Sequence, residues 1–180
     1  IIEGYRTYSS DEEAVRKIRL AYEIAQDAHA GQFRKSGEPF IVHPLAVAKI
    51  LVDLKMDSSC ICSALLHDTL EDTSIQMDYI REQVGREVAG MVDALTKIKT
   101  KALAEKLPKD HDRAETMRKI VLGMAKNVRV IIVKLADRWN NIQTLQYLPA
   151  DKRKQIARET MAIYAPIADR LGLDRKSTRL

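Results

Sequence analysis

Eight residues, Leu65-Leu66-His67-Asp68-Thr69-Leu70-Glu71-Asp72, concentrate the chemistry of this chain. A His-Asp pair and then a Glu-Asp pair interrupt an otherwise apolar segment that begins near Ile61. On a helix, at about 100° per residue, 67/71 and 68/72 are i,i+4 neighbours, so the four side chains are expected to converge within roughly 140° of arc. Three carboxylates on one face repel each other, and burying one without a partner is costly; a cation among them is the simplest compensation. Imidazole beside carboxylate suits manganese, iron, zinc or magnesium rather than a thiolate-selected ion. The competing reading is a charged surface turn, against which Ala64, Leu65, Leu66 and Leu70 weigh.

Three further groups have suggestive types and spacing. Arg34-Lys35-Ser36 sits in a short polar loop bounded by Gly31 and Pro39, where two cations and a hydroxyl either hold a phosphate or remain solvated charge. His43 precedes Pro44 at the mouth of a helix, and alone it would be a structural histidine. Asp137, Asn141 and Thr144, at i, i+4 and i+7, share one helical face.

The elements expected to position these groups are helices. Asp11, followed by Glu12 and Glu13, opens a first helix to about His29 with Val15, Ile18, Tyr22 and Ala25 inward. A second runs from Pro44 to about Lys55, and Met56-Asp57-Ser58-Ser59 caps the helix that carries the acidic stretch. Thr73-Ser74 is expected to open another, continued by apolar positions from Val84 to Ile98. The Lys-rich segment 99–112, with Pro108, is expected to be a mobile connection or lid, and the helical pattern returns at Arg113. Residues 128–136 are β-branched enough to pass for a buried strand but are assigned to a helix. Asp151 is expected to cap a last long helix, bent by Pro166 and ended by Gly172.

At 180 residues the chain has room for one domain with a full core. Few aromatics and sparse glycine and proline favour an all-α fold. No apolar run is long enough for a membrane span and no signal segment opens the chain, although it starts at Ile1 rather than Met; a cytoplasmic protein is expected. Cys60 and Cys62, without a second pair, fit reduced core thiols. The net charge of +5 is unevenly divided: residues 1–90 hold 10 Lys/Arg against 15 Asp/Glu, and residues 91–180 hold 20 against 10. An acidic half beside a basic half suits a polyphosphorylated small molecule that needs both a cation and Lys/Arg. Nucleic acid is not expected, because the basic half is diluted by acids and lacks interleaved aromatics.

Together, His43, His67-Asp68 and the distant Asp137 resemble the H…HD…D signature of HD-type metal phosphohydrolases. The flanking segments narrow the resemblance: Ala28-His29-Ala30-Gly31-Gln32, Arg34 through Pro39, Glu71-Asp72, Lys134 through Arg138 with Asn141, and Ile163-Tyr164-Ala165-Pro166 are similar to the N-terminal hydrolase domain of RelA/SpoT-type long alarmone synthetase/hydrolases. The likeness covers residues 5–173, so a single domain is expected over 1–173, and 174–180 form a non-matching tail of truncated or artefactual appearance.

The resemblance implies an HD-domain helical bundle that hydrolyses guanosine tetra- or pentaphosphate at the 3′-pyrophosphate, giving GDP or GTP and pyrophosphate, with Mn²⁺ as cofactor. His43, His67, Asp68 and Asp137 would bind the metal, and Glu71 and Asp72 would place and deprotonate the attacking water. Arg34, Lys35 and Ser36 would line the nucleotide pocket, with Asn141 and Thr144 on the nucleoside. A C-terminal synthetase domain would follow in the natural protein. One departure concerns Asn140, which stands where the family usually has histidine; modest effects on packing or pocket shape are expected of it. Hydrolysis of another nucleotide, and an alarmone-binding regulatory role without turnover, are the alternatives.

Overall fold

The computed structural model describes residues 1–104 and 127–173, with the backbone alone for 98–104. Among these residues the structure is helical, with one isolated antiparallel bridge, Phe33 to Pro39. The helices are α1 (Ile2–Arg6), α2 (Glu12–Ala28), α3 (Val42–Asp53), α4 (Ser58–Leu66), α5 (Thr69–Asp72), α6 (Met77–Val84), α7 (Arg86–Ala104), α8 (Val128–Gln143), α9 (Ala150–Glu159) and α10 (Ala165–Arg170). A short 3₁₀ turn, Leu145–Tyr147, follows α8, and a π-helical turn, Thr160–Tyr164, joins α9 to α10. No helix among the described residues is long and apolar enough to cross a membrane.

Side-chain caps explain three of the helix starts. The Asp11 carboxylate accepts from the amides of Glu13 and Ala14 at 2.9 and 3.1 Å, and Asp57 accepts from Cys60 N at 2.9 Å. Each satisfies amides that a helix N-terminus leaves without partners. Asn127 does the same for α8 through Arg129 N. Residues 128–136 are helical despite their β-branched side chains, because α8 buries Val130, Ile131, Val133 and Ala136. Packing of that face outweighs the small propensity cost of β-branching.

α4 is the centre of the bundle: every residue from Cys60 to Leu66 is buried. It packs against α2, α3, α7 and α8, which explains its apolar circumference. The stripe Ala14, Val15, Ile18, Ala21, Ile24 and Ala25 of α2 lies in the same core as Val47, Ala48, Leu51 and Val52 of α3. Each fully buried Leu or Ile contributes roughly 1.5–3 kcal/mol. Cys60 and Cys62 are free and buried here, and burial pushes both thiols up to about 12. Ile131, Ile163, Tyr164 and Ile167 form a smaller cluster where the C-terminal helices meet α8.

Several expected boundaries move. The helix after the acidic stretch begins at Met77, with Gln76 at its cap; Thr73 instead makes a turn by accepting from Ile75 N at 3.2 Å. Gly85, at φ 97°, separates α6 from α7, and α7 runs on through 99–104, the start of the expected connection. The rest of that connection, the expected return of helix at Arg113 and the tail 174–180 lie outside the described residues. Pro149, not Asp151, precedes α9. The expected bend at Pro166 takes the form of the π turn just before it. Proline leaves one carbonyl of the preceding turn without an amide, and a widened turn redistributes those bonds. Gly172 follows α10 at φ 66° as expected.

Gly4 brings α1 close to α3: a Cβ there would meet Val52 Cγ1 at 2.7 Å. Val52 is buried and stiff at χ1, so it has little room to yield. Gly4→Ala is therefore expected to destabilise the protein by about 1–2 kcal/mol in urea unfolding, overpacking outweighing the helical preference for alanine. An unchanged or raised midpoint would show that α1 docks loosely.

Candidate metal centre

The expected convergence of four side chains on one continuous helix does not occur. α4 ends at Leu66, His67 and Asp68 form the junction, and α5 is a separate single turn. Side chains make the break. His67 Nδ1 lies 2.7 Å from Ala64 O, and Thr69 Oγ1 donates to Leu66 O at 2.7 Å. Both occupy carbonyls that an ending helix leaves without amide partners. Because a backbone carbonyl only accepts, Nδ1 carries a proton and His67 Nε2 is the atom turned into the site.

Histidine 67 and Asp68 meet donors from two other helices. His43, in the first turn of α3, places Nε2 3.2 Å from Asp137 Oδ1 and 3.7 Å from Asp68 Oδ2. His67 Nε2 lies 3.2 Å from Asp68 Oδ2 and 3.8 Å from Asp137 Oδ1. The two imidazoles are 5.1 Å apart, centre to centre. All four residues are buried. The ligating atoms of His43, His67 and Asp68 lie within 4.8 Å of one another, a spacing that fits one metal ion. His67 Nε2 is buried without a hydrogen-bond partner, and an atom in that position is suited to donate to a metal. Two nitrogens with carboxylate oxygens match a borderline or hard divalent cation.

Charges around the cluster are set by burial and by its partners. Burial opposes ionisation of His67, but the Asp68 carboxylate and then Asp137 outweigh it and lift its pKa to about 9. Burial likewise opposes the Asp137 carboxylate, yet the Lys134 ammonium, His43 and His67 hold it well below the usual carboxylate range. Lys134 Nζ donates to Asp137 Oδ2 at 2.7 Å, and Asn141 Nδ2 donates to Asp137 Oδ1 at 2.7 Å. The metal-free protein should therefore lose stability as pH rises from about 6.5 to about 9. His67 is protonated in both folded and unfolded chains below that window and neutral in both above it, so its contribution, at most about 3 kcal/mol, disappears across it. Urea unfolding at pH 6 and 9.5 in the presence of chelator checks this; equal stability would contradict the ion pairing.

The remaining candidates lie around this cluster. Glu71 and Asp72 are exposed on α5, immediately beyond Asp68 and outside the buried group. Gln32 fastens this turn: its Nε2 donates to Asp72 O at 2.8 Å while its Oε1 sits 2.8 Å from His29 Nδ1. His29 in turn stacks on Phe40 at 4.3 Å. The Arg34 loop is a tight hairpin in which Arg34 N donates to Glu38 O at 2.8 Å and Gly37 N to Arg34 O at 2.9 Å. Ser36 Oγ donates to Glu38 Oε2 at 2.9 Å, and Lys35 is exposed. Arg34 reaches across to α8, donating through Nη2 to Asn141 Oδ1 at 3.4 Å and to Thr144 Oγ1 at 3.3 Å. Arg34, Asn141 and Thr144 are thus brought together, and Asn141 joins them to Asp137.

Two residues at the site take roles beyond those expected from the sequence. Lys134, a lone cation in the apolar run 130–136, is the buried counter-ion of Asp137; its position three residues before Asp137, on one helical face, was the available signal. Asn140, expected to affect packing modestly, places Oδ1 2.7 Å from His43 Nδ1. On the outer side of α8, Arg138 lies over the Tyr164 ring at 4.3 Å and pairs with Glu159 at 3.2 Å, clamping the π turn to the site helix.

The chain is similar to curated proteins over most of its length. It is 46% identical over 163 residues to a GTP pyrophosphokinase of Myxococcus xanthus, covering 91% of this chain and 22% of that protein. It is 43% identical over 169 residues to the bifunctional (p)ppGpp synthase/hydrolase SpoT of Escherichia coli K12, covering 94% of this chain and 24% of that protein. The chain therefore spans about a quarter or less of these curated relatives. Among solved structures, a metazoan ortholog of SpoT, described as hydrolysing ppGpp with a role in starvation responses, superposes with a TM-score of 0.64 at 27% identity, over 82% of this chain and 83% of that one. Residues 21–174 match the family model described as the HD domain, and with its helical architecture and buried His/Asp cluster the chain belongs to the HD domain family.

Proposed function

We propose that this domain, residues 1–173, hydrolyses the 3′-pyrophosphate bond of guanosine tetra- or pentaphosphate, releasing pyrophosphate and GDP or GTP. The observation that carries the reading is the meeting of His43 from α3 with His67 and Asp68 from the junction of α4 and α5, and with Asp137 of α8 beside them, at one buried point. The names of the relatives, one a (p)ppGpp synthase/hydrolase, support the substrate. Their greater length supports a synthetase domain elsewhere in the natural protein, and the proposed setting is the cytoplasm.

In this reading His43, His67, Asp68 and Asp137 hold a divalent cation, Mn²⁺. Such an ion supplies Lewis acidity, withdrawing charge from a phosphoryl oxygen and making nearby water more acidic. The protein's own groups do the rest. Glu71 and Asp72, one turn beyond Asp68, orient the attacking water, and a carboxylate oxygen there takes its proton. Arg34 and Lys35 neutralise the phosphates, Ser36 contributes a hydroxyl, and Asn141 and Thr144 face the nucleoside. Since Asn141 and Thr144 hold Arg34 in this structure, the nucleotide takes over those contacts as it enters.

The test is pyrophosphate release from ppGpp by the purified chain, with Mn²⁺ present and then chelated. Metal-dependent release with GDP as coproduct is the expected result. Binding of ppGpp without release would replace this reading with a regulatory one. Turnover of other nucleotides but not of ppGpp would move the substrate.

A further inference from the structure

His43 Nδ1 faces the Asn140 amide at 2.7 Å, and both side chains are buried. Either partner of such a pair is able to donate: an amide NH₂ to a bare ring nitrogen, or a ring N–H to an amide oxygen. Only the second leaves Nε2, the atom facing Asp137 and Asp68, with its lone pair in the neutral ring. The choice therefore decides whether His43 is a competent ligand.

Arg34 makes that choice. Its Nη1 lies 3.4 Å from the same Asn140 Oδ1. That bond is long and weak, but its direction is unambiguous, because guanidinium only donates and a reversed amide would set N–H against N–H. The neighbouring contact repeats the arrangement: Arg34 Nη2 donates to Asn141 Oδ1, leaving Asn141 Nδ2 to donate to Asp137. One cation from the Arg34 loop thus orients two successive amides of α8, each of which touches a different member of the buried cluster.

We infer that Asn140 is a positioning residue which, with its amide oriented by Arg34, holds His43 as the Nδ1–H tautomer and aims Nε2 at the metal position. The chain Arg34–Asn140–His43 joins the loop assigned to the nucleotide to the cluster assigned to the cation. A phosphate that draws Arg34 away removes the group that orients the Asn140 amide, so the contacts of the nucleotide loop and the aim of His43 are coupled. The inference rests on the proposed metal site, and its test separates the two.

The experiment is ¹H–¹⁵N correlation of the imidazole nitrogens in the metal-free 180-residue chain at alkaline pH, together with calorimetric titration of Mn²⁺. The parent is expected to carry the His43 proton on Nδ1. Asn140→Leu, similar in size but without an acceptor, is expected to show mixed tautomers and to bind Mn²⁺ about 10–100-fold more weakly, the usual cost of losing a group that orients a ligand. Asn140→Asp keeps an oxygen at the same place and is expected to retain Nδ1–H and most of the affinity. A parent His43 protonated on Nε2, or undiminished Mn²⁺ affinity in Asn140→Leu, overturns the inference. If Asn140→Leu fails to fold, the parent spectrum and Asn140→Asp still decide it, loss of affinity in the latter counting against it. A parent with the Nδ1–H tautomer that takes up no divalent ion would strike the metal reading and leave the role of Asn140 in setting the tautomer standing.

Discussion

Under the proposed function, Asp68→Asn is expected to reduce (p)ppGpp hydrolysis by about a thousandfold or more, because it removes an anionic donor from the proposed metal position while keeping the side chain's shape. Divalent-ion affinity should fall by more than the roughly 100-fold upper range seen when only an orienting group is lost. The same variant has a signature independent of turnover. Asp68 is the larger of the two carboxylate influences that raise His67, so the stability lost between pH 6.5 and 9 by the metal-free protein should shrink. Far-ultraviolet circular dichroism should report an intact helical fold. Activity within tenfold of the parent in metal-replete buffer would remove Asp68 from the ligand set.

The second large effect is on stability. Lys134 Nζ and Asp137 Oδ2 form a buried ion pair at 2.7 Å, so Lys134→Met leaves a buried carboxylate without its cation. Breaking one side of such a pair costs about 3–5 kcal/mol. For a chain of this size that corresponds to a fall in melting temperature of roughly 10 °C. Adding Asp137→Leu in the same chain should recover much of the loss, since two apolar side chains leave no charge stranded. Saturating Mn²⁺ should also rescue the single variant in part, because a cation bound at the site supplies counter-charge to Asp137. A Lys134→Met protein as stable as its parent in chelator would mean that Asp137 finds another partner.

How far the sequence foretold these features depends on the distance over which each is decided. The α2 stripe, the Asp11 and Asp57 caps and the Gly172 stop follow from neighbours within a few residues, and all are present. Helix 128–136 was ambiguous in composition, and its partners in the core settle its form. The break at His67-Asp68 was not legible, because the apolar run and the i,i+4 spacing continue through it. It is made by side chains that occupy the carbonyls of Ala64 and Leu66. The juxtaposition of His43 with Asp137 was suggested by the order of motifs, whereas the role of Asn140 required knowing which face of α8 meets α3. Lys134 illustrates the same limit: a cation in an apolar run signals burial with a partner, but many acids were available to be that partner. The expectation that Glu71 and Asp72 share a continuous helical face with His67 fails for the reason that the helix ends before them.

The burial of α4 gives the site a built-in chemical clock. Cys60 and Cys62 lie on the helix whose end carries His67, shielded from solvent and with thiols held protonated at neutral pH. A thiol reagent modifies only the thiolate, so labelling must await an excursion in which α4 leaves its neighbours. When reclosing outpaces modification, the labelling rate measures the population of that open state, and a ligand that binds only the closed site slows labelling in proportion to its occupancy. Two buried cysteines thereby turn the integrity of the helix that leads to His67 into a rate that can be timed at the bench.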